Sequence, residues 1–121
     1  MKETIYAKFW MADGILIFIY KPIVFLDYPI AKAIVADRLC YQQETSYPAL
    51  CDLQGIQNSD KAARDYLANE GSALLKAVAL VDKRAVARAF VPVYLERNRP
   101  LVPTQVFCDH EDAIEYLKPY R

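Results

Sequence analysis

Apolar and polar positions alternate from the first residues of the chain, and the period of that alternation changes several times. Glu3–Met11 ("ETIYAKFWM") runs with a period near two and predicts a strand. After the turn Ala12–Gly14, the run Ile15–Tyr20 is apolar at every position, which predicts a second strand covered on both faces. An Asp-Gly step between two such runs marks a hairpin. Asp27 then stands where it can cap a helix from Tyr28 to about Gln43, with Pro29 tolerated in the first turn. Ile30, Ala31, Ile34, Val35 and Leu39 form its apolar stripe, and Lys32 and Arg38 fall outside it.

Further along, "ETSY" reads as a loop and Pro48–Leu53 as a short buried strand. Ser59–Glu70 reads as a helix stopped by Gly71 in the left-handed conformation that glycine accepts. Ala77–Val81 is the next strand, and Asp82 is expected to cap a helix through Arg97, kinked at Pro92. "RNRPLVPT" connects to a last strand, Thr104–Phe107. Asp109 caps the final helix, with Asp112 where a capping-box partner belongs. The predicted order is ββαβαβαβα. Such alternation needs crossover connections, so the expectation is one α/β domain over residues 1–121, with a mixed, mainly parallel sheet covered by helices.

The stretch "GILIFIYKPIVFLDYPIAKAIVA" is apolar enough to suggest a membrane span. Lys21, Asp27, Pro22 and Pro29 interrupt it well short of the ~20 continuous apolar residues a spanning helix needs. It reads as a buried strand, a loop and an amphipathic helix, and no membrane span is expected. Fifteen basic residues balance fifteen acidic ones, so no global field draws the chain to nucleic acid. The three cysteines Cys40, Cys51 and Cys108 are odd in number and lack CxxC spacing, which points to a reducing, cytoplasmic setting. "MKETIYAKFW" lacks a signal-peptide pattern.

The strand-turn-helix "DLQGIQNSDKAARDYL" from Asp52, with "DGILIFIYKP", "AKAIVADRL", "YPALCDLQGI", "SDKAARDYLANEG", "KAVALV" and "RPLVPTQVFCDHEDAIEYL", resembles the SpoIIAA-like superfamily, which includes the STAS domains. The nearest likeness is to an uncharacterised bacterial branch described as STAS/SEC14-type. What the resemblance implies is a binding or regulatory domain rather than an enzyme. Regulatory STAS proteins carry a phosphorylatable serine at the start of the helix after the Asp-Leu strand end. Laid on this chain, the two serine positions hold Lys61 and Ala62, the following glycine is Ala63, and Ser59 stands two residues early. The switch serine therefore does not carry over.

Ser59 before "DKAARDYL" is expected to cap the helix, worth about 1 kcal/mol, with Asp60 adding favourable charge at the positive end of the dipole. The same helix mouth could contact an anion or other ligand, which makes Asp52, Ser59 and Asp60 candidate ligand-binding residues. Asp52 ends a buried strand at the edge where open α/β sheets collect ligands, or else bonds the turn amides of Gln54 and Gly55. "CDHED" holds Cys108, His110 and Asp112, whose side chains point different ways on a helix start. His110 is the only histidine and is expected to be solvated there. The three glycines, at 14, 55 and 71, form no phosphate loop. No catalytic residue, metal or cofactor is expected.

The third helix, "KRAVARAFVPVYLERN", carries one apolar stripe of Val86, Ala89, Phe90, Val93 and Tyr94 and a second of Ala87, Val91 and Leu95. One stripe suffices to cover a sheet, so the other is expected to meet something else. The leading expectation is a non-catalytic domain acting by protein association, including a homodimer through Val86, Phe90, Val91, Tyr94 and Leu95. The alternative is a small-molecule or lipid carrier with an apolar pocket beside that helix.

Overall fold

The first expected strand divides in two. β1 (Lys2–Glu3) turns back onto β2 (Ala7–Ala12) because Thr4 Oγ1 accepts hydrogen bonds from the amides of Tyr6 and Ala7, each at 3.2 Å. β2 then pairs antiparallel with β3 (Ile15–Tyr20) across the two-residue turn at Asp13 and Gly14, whose φ angles of 53° and 78° match the twist of the hairpin. This computed structural model describes residues 1–97 and 99–121, and the side chains of Val86, Arg88, Phe90 and Tyr94 lie outside that description.

A strand occupies the segment expected to be loop. β4 (Ile23–Leu26) precedes helix α1 (Tyr28–Gln42), and it buries Ile23 and Leu26 while exposing Val24 and Phe25. α1 begins as expected, with Asp27 accepting from the Ile30 amide at 3.0 Å, and ends at Gln43 in a left-handed conformation. β5 (Tyr47–Asp52) follows, then a further unexpected strand, β6 (Ile56–Ser59), which pairs with β4 in parallel. Leu26 lies opposite Ser59 in that small sheet. Ser59 therefore ends a strand and does not cap the helix.

Asp60 takes that role. Its carboxylate accepts from the Ala63 amide at 2.8 Å and opens α2 (Lys61–Asn69), while Ser59 Oγ accepts from Arg64 at 3.2 Å. Asp60→Ala should cost about 1 kcal/mol in urea unfolding. Ser59→Ala should stay within about 0.5 kcal/mol of the parent. The reverse ranking would restore Ser59 as the cap.

α2 closes in a 3-10 turn at Glu70–Ser72, and the left-handed residue beyond it is Leu74 rather than Gly71. β7 (Leu75–Val81) leads to α3 (Ala85–Arg97), which contains Pro92. Asp82 does not cap α3. Its carboxylate accepts from the Arg84 amide two residues on, at 3.0 Å, and the helix begins only at Ala85. β8 (Thr104–Phe107) and α4 (His110–Leu117) complete the chain, with Asp109 accepting from the Asp112 amide at 2.8 Å.

The main sheet runs β1-β2-β3-β5-β7-β8, antiparallel through the opening hairpin and parallel from β3 onward. Its two faces carry separate cores. On one, Phe9, Leu16, Phe18 and Ala49 pack with Ala31 and Ile34 of α1 and Ala63 of α2. On the other, Ile15, Ile17, Leu50, Ala77 and Val81 pack with Ala113 and Leu117 of α4. Both faces of β3 are thus covered, which accounts for its unbroken apolar run. No described residue of α3 belongs to either core.

Candidate functional site

Two features stand out, and the first gathers at the C-terminal ends of the parallel strands, where a sheet of this kind presents its loops. The first is polar. Asp52, the last residue of β5, accepts from the Gln54 amide at 3.0 Å, as the turn reading expects, and from the Gln54 side chain. Its other oxygen lies 2.9 Å from Nε2 of His110, the first residue of α4. An ionised carboxylate only accepts, so the imidazole holds its proton on Nε2 toward Asp52. His110 is therefore anchored rather than simply solvated. The side chain remains 44% exposed on its far side.

Burial pushes the Asp52 carboxyl upward, but hydrogen bonds from His110 and Gln54 outweigh it and hold the group below its ordinary value. A carboxyl depressed in the folded state stabilises the fold above its unfolded value near 3.8, and loses that contribution as pH falls through the lower folded value. Asp52→Asn should therefore lose stability relative to the parent at pH 7, and the gap should close as pH falls from about 4 through the lower folded value. Urea unfolding across that range checks it. A gap that stays constant into acid would show that the charge on Asp52 contributes nothing.

Beside this pair, Asp82 is almost wholly buried and binds Arg84 through both oxygens, at 3.0 and 2.7 Å. Arg84 also donates to the carbonyls of Leu53 and Ile56. One guanidinium thus joins the ends of β5, β6 and β7.

The second feature is a cavity of about 670 Å³ on the face of the sheet that carries α1 and α2. Its floor is Phe18, Cys51, Val78 and Leu80; in the parallel register Cys51 lies opposite Leu80. Leu67 and Ala68 of α2 form one wall, and Ala87, Val91 and Leu95 of α3 form the other. Those three residues are the second apolar stripe of α3, which faces this space together with Val93 of the first stripe. Gln57, Asn58 and Ser59 of β6 bring polar groups to its rim.

Arg38 also lines the cavity. It was expected outside the apolar stripe of α1, yet it is only 5% exposed. The spacing allows this, since position 38 shares a helical face with the buried residues Ala31, Ile34, Val35 and Gln42. Its guanidinium donates to the carbonyls of Gly71 at 2.9 Å and Ala73 at 3.1 Å, and to the Gln42 side-chain oxygen. Burial lowers its pKa from the ordinary arginine value, and neighbouring Cys51 and Tyr20 oppose that shift. Cys51 is no nucleophile, because burial pushes its thiol up to about 11.

Of the candidate residues, Asp52 joins the polar cluster, Asp60 is a helix cap, and Ser59 stands on the cavity rim. Neither Asp52 nor His110 lines the cavity, so Asp52, Ser59 and His110 do not share one hollow. Val91 and Leu95 are half-buried cavity walls; Val86, Phe90 and Tyr94 lie outside the described residues. Among the described residues, no three His, Cys, Asp or Glu side chains gather to hold a metal. Nor is any helix among them long and apolar enough to cross a membrane.

A family model described as "Domain of unknown function (DUF7793)" matches residues 9–121, and the chain belongs to that family. No curated protein matches it. Among solved structures, the chain is similar to an uncharacterized protein of the DUF3478 family with a SpoIIAA-like fold from Shewanella loihica PV-4. The two are 14% identical with a TM-score of 0.63, over 97% of this chain and 98% of that one. At that identity the likeness shows the fold alone, and the expected SpoIIAA-like fold is borne out.

Proposed function

We propose that this member of the DUF7793 family is a non-catalytic binding domain that holds an apolar small molecule in the cavity between α2 and α3. The observation that carries the reading is the second stripe of α3. Ala87, Val91 and Leu95 face a space of about 670 Å³ floored by Phe18, Val78 and Leu80, within the ~300–1,000 Å³ common for ligand sites. Apolar surface left unpacked on this scale forfeits both hydrophobic and dispersion energy, and an apolar occupant restores them. The chemistry near it is unreactive, with a neutral thiol at Cys51 and an Asp82 carboxylate already taken by Arg84. A cytoplasmic setting goes with this reading, because Cys40 and Cys108 are exposed cysteines outside any disulfide among the described residues.

The test is uptake of a neutral solvatochromic dye such as Nile red. The parent should bind it saturably, and Val91→Trp, which fills the cavity, should weaken binding about tenfold or more with the circular dichroism spectrum unchanged. Dye binding equally well to parent and variant would place the site elsewhere and end the proposal. The homodimer reading shares Val91 and Leu95 with this stripe: both are only partly buried, and a second copy could cover them instead. Sedimentation of the parent and of Leu95→Glu separates the two, since a dimer through α3 predicts a parent that dissociates on that substitution.

A further inference from the structure

The walls of the cavity are charged in one sense. Among the described residues its lining holds four arginines, Arg38, Arg64, Arg84 and Arg97, and a single carboxylate, Asp82, which Arg84 engages at 2.7 Å. This excess is local, because the whole chain carries as many acids as bases.

Arg38 makes the case sharper than composition does. It is 5% exposed, on the cavity wall, and among the described residues no carboxylate lies within ion-pair distance of it. A buried charge without a counter-charge costs several kcal/mol by the usual measure. Three carbonyl-type acceptors take three of its five N–H donors, and the remaining two have no acceptor among the described residues. Those acceptors supply dipoles but no negative charge.

Resting on the reading of the cavity as a binding site, we propose that its ligand is a single-chain amphiphile with a carboxylate head, the head set against Arg38 and the chain along Phe18, Val78, Leu80 and Val91. A carboxylate matches two free N–H donors on one guanidinium and neutralises the buried charge where water is scarce, so the pairing is stronger there than at a surface. The apolar floor takes the chain.

Three probes of equal chain length test this on the intact protein: dodecanoate, dodecan-1-ol and dodecyl phosphate, each titrated by calorimetry below its micelle concentration. Dodecanoate should bind at least about tenfold more tightly than dodecanol. In Arg38→Met that preference should fall to near unity while dodecanol affinity stays. Because Arg38 also holds the Gly71 and Ala73 carbonyls, Arg38→Lys is carried in parallel and should keep part of the preference. Equal binding of acid and alcohol by the parent overturns the carboxylate assignment and leaves the cavity standing. A tenfold preference for dodecyl phosphate overturns it in favour of a phosphate head. Selectivity that survives Arg38→Met removes Arg38 as the partner. Failure of all three probes, together with failure of the neutral dye, takes down the cavity reading itself.

Discussion

Gly55→Ala is expected to cost roughly 3 kcal/mol, at the upper end of what overpacking a tight site does. A Cβ at position 55 would lie 2.5 Å from the Lys21 carbonyl oxygen and 2.6 Å from that of Tyr20. Both are backbone atoms, so no side chain can swing away to make room. The two segments in collision are the link from β3 to β4 and the link from β5 to β6, held together by the Ile23 amide donating to Gly55 O at 2.8 Å. Pushing them apart breaks that bond and spoils the entry to the small parallel sheet. The glycine is needed for close approach and not for a left-handed backbone, since Gly14 alone among the glycines has positive φ. Gly71→Ala is the control. A Cβ there meets its nearest neighbour at 3.6 Å, and the change should be neutral or stabilise slightly. Urea unfolding of both variants decides it; equal stabilities would mean that the crossing relaxes without cost.

The caps and the hairpin were legible because their causes are local. Asp27 and Asp109 each bond an amide three residues on, and Asp13–Gly14 twists the hairpin by itself. The alternating α/β order was legible from periodicity, and the SpoIIAA-like fold from the order of the pieces. The β4–β6 sheet was not. Each strand has only four residues, "IQNS" has no strand character of its own, and its hydrogen bonds come from a partner more than thirty residues earlier. Pairing supplies what propensity lacks.

The site was missed for the same reason of distance. Asp52 and His110 are 58 positions apart, and parallel topology alone brings the ends of β5 and β8 to one edge. Ser59 is not the helix cap because it pairs with Leu26 in β6, and Asp60, one residue later, accepts from the Ala63 amide instead. The surplus stripe on α3 was visible, but a stripe does not say what covers it. Arg38 had a readable signal in its register with Ala31, Ile34 and Val35. Helical spacing, not charge, decides where this side chain lies.

Arg38→Ala is expected to destabilise the fold by about 3 kcal/mol, even though it relieves a buried charge. Two effects oppose. Removing the guanidinium returns its desolvation cost, and replacing buried ions with apolar groups is often neutral when the new side chain fills the space. Alanine fills nothing, and it strands the Gln42 oxygen and the carbonyls of Gly71 and Ala73, two groups that Arg38 ties to α1. Those carbonyls lie where the 3-10 turn after α2 has no further turn to satisfy them, so Arg38 acts as a cap delivered from a neighbouring helix. Stranded acceptors and lost packing outweigh the relieved charge. Arg38→Met, which keeps the stem volume, should cost about half as much. Lys32→Ala on the exposed side of the same helix should lie within about 0.5 kcal/mol of the parent. The decisive comparison is Ala against Met in urea unfolding at neutral pH. If both variants match the parent, the bonds to Gly71 and Ala73 are incidental, and the guanidinium is free to serve a bound anion at no structural cost.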